Sequence, residues 1–237
     1  MREIRKRQKS NVKDLILRHI YENFKLYLIV IIIFIIGIVA GVIFINNVNG
    51  EQATEIQNYI TEFINLLKQD YHIDTGLLLK KSLSDNLILI ITMWLLGSTV
   101  IGIPIVMGIV LFRGFCIGYS VSAIIATLGV QKGILFFTVT MLLHNLIFIP
   151  VIICMTISCM KLYKSIMKDR RRENIKLEII RHTLISIMLS LLLVVASLVE
   201  SYVSTNLLML TIKFFLKNYK NHLLFVNKYD ITYTVFM

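Results

Sequence analysis

Charged residues are scarce in this sequence: only 16% of its 237 residues are Asp, Glu, Lys or Arg. Soluble globular domains carry about 25% charged residues, so this deficit argues against a water-soluble fold. Hydrophobic residues make up 57% of the chain, and the mean hydropathy is +0.76. The apolar residues come in blocks long enough for a bilayer span, which needs about 20 helical residues. The composition therefore predicts an all-α, polytopic transmembrane helix bundle.

Cysteine is rare as well, occurring only as Cys116, Cys154 and Cys159. Their spacing fits neither a disulfide framework nor a zinc site, and in apolar stretches they are expected to act as small packing residues. The HExxH, GxSxG, Walker A and GxGxxG patterns are missing, and the five histidines are scattered without ligand spacing. We therefore expect no catalytic residue, no metal site and no cofactor, and the sequence predicts a protein that is not an enzyme.

Acidic residues are outnumbered, since 14 Asp and Glu stand against 25 Lys and Arg and leave a net charge of +11. No nucleic-acid-binding module is recognisable, so this charge does not predict a nucleic-acid partner. Most of it lies at Arg2–Lys25 and Lys161–Arg181, which flank apolar blocks. Such clusters mark cytoplasmic segments and attract anionic lipid headgroups. With a cytoplasmic N-terminus and four spans between them, both clusters fall on the cytoplasmic side.

The apolar blocks predict five spans after the basic N-terminus at 1–25. They lie at 26–45, about Leu83–Ile101, about Ile103–Leu128, Ile134–Met160 and roughly Thr183–Val203. We place the second break at Gly102 and Pro104, because proline is tolerated in the first turn of a helix but not in its interior. A break at Arg113 ranks second, because it would leave a third span of only about 15 residues. Residues 129–133 are expected to form a short external turn.

Two further features concern the later spans. Pro150 lies well inside the fourth span and is expected to kink it. The segment 206–237 is an atypical tail, because its lysines conflict with an external position. A sixth span through Leu207–Leu216 is the alternative, although it would be short for a bilayer.

Residues 46–82 form a polar, net acidic external loop that precedes the four-span bundle at 83–205. Apolar residues in this loop recur every 3.6 positions and predict an amphipathic helix: Ile56, Tyr59, Ile60, Phe63, Ile64 and Leu67. We favour packing of this face on the membrane surface or on the protein's own bundle. The alternative is a partner protein, for which the candidate binding residues are Glu51, Glu55, Tyr59, Glu62 and Phe63.

Ionisable and strongly polar groups within spans are costly, by a few kcal/mol for a charge, and are functional candidates by default. Arg113, His144, Asn145 and Glu200 are the candidates here. Arg113 can pair with Glu200 or with His144 and Asn145, and a depth offset of roughly 10 Å weakens the first pairing. We favour a network that joins three helices over a substrate or proton path, and over snorkelling of Arg113 to the cytoplasmic face.

Small residues favour close helix packing beside Arg113. Gly37 and Gly41 form a GxxxG pattern in the first span, and Gly114 and Gly118 form another in the third, continued by Ser122. Residues of this size and spacing let two helices approach closely.

Three motifs carry a resemblance to a known family: RGFCIGYS at Arg113–Ser120, HNLIFIP at His144–Pro150 and VESYVS at Val199–Ser204. With the basic N-terminus and the basic loop, they resemble the stage II sporulation protein M family over roughly residues 2–208. The family's recurrent positions map onto Arg113, Gly114, Phe115, Gly118, Asn145, Pro150 and Glu200. The chain departs from the family at Thr205, where a proline is usual, and in its tail.

The resemblance implies a function. Members of this family are non-catalytic membrane scaffolds at the sporulation septum of endospore-forming bacteria. They anchor a peptidoglycan-remodelling complex with the sporulation proteins D and P, which degrades cell wall while the mother-cell membrane engulfs the forespore. The alternative that the residues themselves leave open is a permease-like subunit for a small solute or a lipid, with Arg113 and His144 lining its path.

Overall fold

All regular structure in the described part of the chain is helical, which confirms the predicted fold class. A computed structural model describes residues 20–68, 74–99, 101–168 and 172–211. The basic N-terminus before residue 20, the middle of the basic loop at 169–171 and the tail from 212 lie outside these residues. The helices are α1 (Phe24–Asn46), α2 (Gly50–Lys68), α3 (Thr75–Gly97), α4 (Gly102–Leu128), α5 (Val130–Phe137), α6 (Leu143–Lys168) and α7 (Arg172–Leu198).

Four helical stretches are long and apolar enough to cross a membrane. They are Phe24–Asn46, Gly102–Leu128, Val130–Met167 and Ile175–Thr211, and they correspond to the first, third, fourth and fifth predicted spans. The chain is therefore a multi-pass membrane protein. The predicted second span overlaps the second half of α3, whose first half also carries Lys80, Lys81 and Asp85. Helix α3 is not among the four, so the count of five spans stays a prediction.

Helix boundaries differ from the prediction at two points. Helix α3 ends at Gly97, whereas the predicted span continued to Ile101. The favoured break at Gly102 and Pro104 is confirmed, because α4 begins at Gly102 with Pro104 in its first turn and continues through Arg113.

The external turn predicted at 129–133 is too long, because α5 already begins at Val130. Gly129 alone reverses the chain, with a φ of 79° that glycine adopts at little cost.

Two π-helical segments interrupt the later spans. Thr138–Leu142 joins α5 to α6, and Val199–Ser204 continues α7. A π-helical turn is wider than an α-helical turn. It occurs mostly as a single turn inside an α-helix, frequently at a functional site. After the second π-segment the helix continues to Thr211, which lies within the segment predicted as a tail. Pro150 lies inside α6, and its kink stays a prediction.

Helices α1 and α4 pack closely through their glycines. A Cβ atom on Gly37 or Gly41 would clash with the α4 backbone, and one on Gly114 or Gly118 would clash with the α1 backbone. The two predicted GxxxG patterns therefore face each other. The ring of Phe115 adds an edge-to-face contact with Phe44, whose centroid lies 5.6 Å away.

Helix α2 packs against the bundle, as the favoured interpretation of its amphipathic pattern expected. Leu67 is buried in a cluster with Ile124, Phe136 and Leu208, and Ile60 and Ile64 pack against this cluster. Tyr59 and Phe63 do not belong to the inner face, since Tyr59 is 75% and Phe63 42% exposed. Of the predicted apolar face, Ile60, Ile64 and Leu67 therefore make the contact with this cluster.

Candidate functional site

Glu200 is the centre of a polar cluster between α3, α6 and the second π-segment. Its Oε2 accepts a hydrogen bond from Ser82 Oγ of α3 at 2.5 Å and lies 3.3 Å from His144 Nδ1 of α6. The same Nδ1 lies 3.4 Å from the carbonyl oxygen of Ala196. Both neighbours of Nδ1 are acceptors, so the geometry favours a proton on this nitrogen. The Glu200 carboxylate therefore connects α3 and α6 to the π-helical segment that carries Glu200.

Asn86 extends the cluster along α3. Its side chain is only 4% exposed, and its Nδ2 donates to Ser197 Oγ at 2.9 Å and to Ser82 Oγ at 3.4 Å. Ser82 and Asn86 lie one helical turn apart, so both reach the same neighbour. Burying an amide is costly unless it is hydrogen-bonded. Here the bond to Ser197 joins α3 to α7, and the bond to Ser82, within α3, connects Asn86 to the Glu200 cluster.

Arg113 lies beside this cluster rather than in direct contact with its carboxylate. Its guanidinium carbon lies 4.9 Å above the ring centroid of Phe148, a cation–π geometry. His144 stacks on the same ring at 5.1 Å between centroids. Within the described ranges, no carboxylate lies within 4.0 Å of Arg113, and it has no hydrogen bond to His144 or Asn145. Neither predicted pairing is formed, and Phe148 mediates between the two basic side chains.

A cavity of about 430 Å³ brings the predicted ionisable residues together. Arg113, His144 and Glu200 line it, along with Asp85 and Ser82. A second cavity of about 430 Å³ lies on the other side of Glu200, with Phe63 and Ser204 in its walls. Ser204 Oγ is buried without a hydrogen-bond partner among the residues that the structure describes. Glu200 therefore lines two cavities within the bundle.

Other predicted residues lie elsewhere. Gly114, Phe115 and Gly118 contact α1, as the close approach and the ring contact show. Asn145 is half-buried and Pro150 is exposed. Of the candidate partner residues on α2, Glu51, Glu55, Tyr59 and Glu62 are exposed away from the cluster, while Phe63 lines the second cavity.

Three side chains of the site were not predicted from the sequence: Ser82, Asn86 and Phe148. Ser82 and Asn86 carry a recognisable signal, namely two polar residues one turn apart at the edge of an apolar block. Phe148 carries none, because one phenylalanine in an apolar span resembles any other packing residue. Among the described residues, no three His, Cys, Asp or Glu side chains come close enough to share a metal ion.

A comparison with family models identifies the relationship that these motifs suggested. The model described as stage II sporulation protein M matches residues 30–205, which include Arg113, His144 and Glu200. This match covers well over half of the chain, so the chain belongs to this family and is a sporulation-related membrane protein. Comparisons with curated proteins and with solved structures found no match.

Proposed function

We propose that this member of the family is a non-catalytic anchor of a peptidoglycan-remodelling complex at the sporulation septum. In this role the protein lies in the mother-cell membrane. The complex that it anchors drives the migration of this membrane around the forespore during engulfment. The family match over residues 30–205 carries the proposal. The contacts of Glu200 support a structural role over a catalytic one, because its carboxylate is bonded to Ser82 and His144 and so joins neighbouring helices.

The proposal includes five spans with a cytoplasmic N-terminus. Gly97 at the end of α3 lies against Cys159 and His182, whereas Ser82 near its start reaches Glu200. From 82 to 97 the helix advances roughly 22 Å alongside α7 and the second π-segment. Since Ile175–Thr211 is long and apolar enough to span, we infer that α3 crosses with it. This topology places α2 outside the cell.

The outward face of α2 is the proposed partner surface. It exposes the carboxylates of Glu51, Glu55 and Glu62 beside Tyr59. An aromatic side chain among polar ones is a common anchor of protein interfaces. The proposed partners are the sporulation proteins D and P, both peptidoglycan hydrolases, and anionic lipids at Arg2–Lys25 and Lys161–Arg181.

Affinity purification of the tagged chain from sporulating cells tests this proposal, together with fluorescence imaging of the same tag. We expect the two hydrolases to co-purify and the tag to concentrate at the septum before it follows the engulfing membrane. Uniform membrane fluorescence, together with a purification that lacks both hydrolases, would contradict it.

A permease-like subunit is the second candidate, and the cavity between Arg113 and Glu200 favours it. Ionisable residues that line a cavity within spans often mark a transport path. The variant Arg113→Ala separates the two functions. Loss of accumulation of the protein supports a packing role, whereas normal accumulation with lost flux of a solute or lipid supports transport.

A further inference from the structure

A third cavity lies at the opposite end of the bundle from α2. It has a volume of about 830 Å³ and lies where α1 begins, α6 ends and α7 begins. The start of α1 thus meets the end of α6 and the start of α7, which follow it by more than 130 residues in sequence. In the proposed topology this end faces the cytoplasm, at the level of the lipid headgroups.

Basic side chains dominate the walls of this cavity. Among the described residues that line it, four are basic and two are acidic: Lys25, Lys161, Lys164, Arg181, Glu22 and Glu178. If all are ionised, these six side chains carry a net charge of +2. Arg181 donates to Glu178 at 2.8 Å, which uses one of its five N–H groups. Such a site attracts an anionic ligand with two negative charges.

The position of the cavity favours a lipid over a soluble anion. Lys25 and Lys164 are exposed, and within the described ranges neither forms a hydrogen bond or ion pair. Tyr21 and Phe24 also line the cavity and are 86% and 59% exposed, as aromatic residues at a membrane interface often are. Apolar helices adjoin the site, so acyl chains can lie against them while the headgroup enters.

We propose that this cavity binds one phospholipid whose headgroup carries two phosphates. The net charge of +2 matches two phosphate charges, and basic pockets between spans on the cytoplasmic side suit such headgroups. A lipid with one phosphate would neutralise only half of this charge. The proposal rests on the cytoplasmic placement of this end in the proposed function, and it sharpens the general expectation of anionic lipids at the basic clusters.

Native mass spectrometry of the full chain in detergent tests the proposal, with cardiolipin, phosphatidylglycerol and phosphatidylethanolamine as probes. We expect one cardiolipin to bind more tightly than the other two lipids. The double variant Lys25→Gln/Lys164→Gln should bind it about 30-fold more weakly, because each lysine near an anionic headgroup contributes about a fivefold factor. Glu178→Gln should bind it about fivefold more tightly, since one negative charge is removed.

The matched control is Lys80→Gln/Lys132→Gln, which removes two exposed lysines at the opposite end and should change cardiolipin binding by less than about twofold. An equal loss in the control, or equally tight binding of phosphatidylglycerol, would overturn the assignment. Displacement of cardiolipin by equimolar inorganic pyrophosphate would show a soluble diphosphate site instead. Hydrolase co-purification plays no part in this measurement, so the lipid site and the scaffold function can fail separately.

Discussion

At the scale of single residues, Glu200 holds the bundle together through neighbours on two other helices. Ser82 and His144 both reach its Oε2, at 2.5 and 3.3 Å. Interhelical hydrogen bonds of this kind contribute about 0.6 kcal/mol on average in membrane proteins, with a maximum near 1.7. A carboxylate acceptor belongs at the upper end of this range, because charge-assisted bonds are the stronger ones.

A double-mutant cycle with Ser82→Ala and Glu200→Gln measures this bond. We expect each variant to unfold more easily in detergent and the pair to show a coupling energy of about 0.5–1.5 kcal/mol. Thermal unfolding followed by circular dichroism gives the four free energies. The cycle with Ser190→Ala is the control and should show no coupling, because among the described residues the Ser190 hydroxyl bonds only to the Ile187 carbonyl. Equal coupling in both cycles would refute the role of Glu200 as an interhelical acceptor.

Sequence reasoning identified the ionisable members of the cluster but not their contacts. His144 and Glu200 stand out because charge is rare in spans. Arg113 was predicted to contact Glu200, His144 or Asn145, whereas it lies over Phe148. Depth along a helix can be estimated from residue number, but the face that each helix turns towards its neighbours cannot. The π-segment at Val199–Ser204 changes this face just where Glu200 lies.

At the scale of elements, the closest contact joins α1 and α4 through facing glycines. The GxxxG patterns predicted that such a contact exists, and the structure adds that the two patterns are each other's partners. Pairing could not be read from the sequence because any two small-residue stripes are compatible.

The variant Gly118→Ala tests this contact. Its new methyl group would meet the Ile38 carbonyl, so we expect a loss of about 1–3 kcal/mol in unfolding free energy. Gly108→Ala, on the same helix but with open space around it, should be neutral or stabilising by up to about 1 kcal/mol. Detergent unfolding of both variants gives the comparison. A stabilised Gly118→Ala protein would show that α1 and α4 do not approach this closely.

Helix α2 offers two neighbouring leucines with opposite environments. Leu67 is 4% exposed against Ile124 and Phe136, whereas Leu66 is 45% exposed. We expect Leu67→Ser to release α2 from the bundle and to accelerate its amide hydrogen exchange at least about tenfold, since a buried leucine contributes 2–5 kcal/mol. Leu66→Ser should leave the exchange nearly unchanged. Equal acceleration in both variants would place α2 off the bundle.

At the scale of the whole molecule, topology rests on α3. The other long apolar helices are recognisable from composition alone. Helix α3 is ambiguous because Lys80, Lys81 and Asp85 lie in its first half, although Ser82, Asn86, Ile90, Met93 and Gly97 are buried along its length. Hydropathy averages all faces of a helix, so it underestimates one whose polar groups face protein.

Cysteine labelling in a cysteine-free background decides between the two topologies. With five spans, an impermeant maleimide should modify Lys80→Cys in intact protoplasts, and Ser98→Cys only after the membrane is opened. If α3 does not cross, both positions face the same side and label together. Lys132→Cys gives a second readout, because it follows α4: it should be modified in intact protoplasts with five spans, and only after the membrane is opened if α3 does not cross.

We propose that the outward face of α2 recruits wall hydrolases, and site-specific photocrosslinking in sporulating cells tests this recruitment. A photoreactive residue replaces Tyr59, which is 75% exposed, and in a parallel strain it replaces Lys132, an exposed residue outside α2. We expect an adduct with a peptidoglycan hydrolase from position 59 and none from position 132. Abundant protein at the septum that gives no hydrolase adduct from position 59 would contradict it.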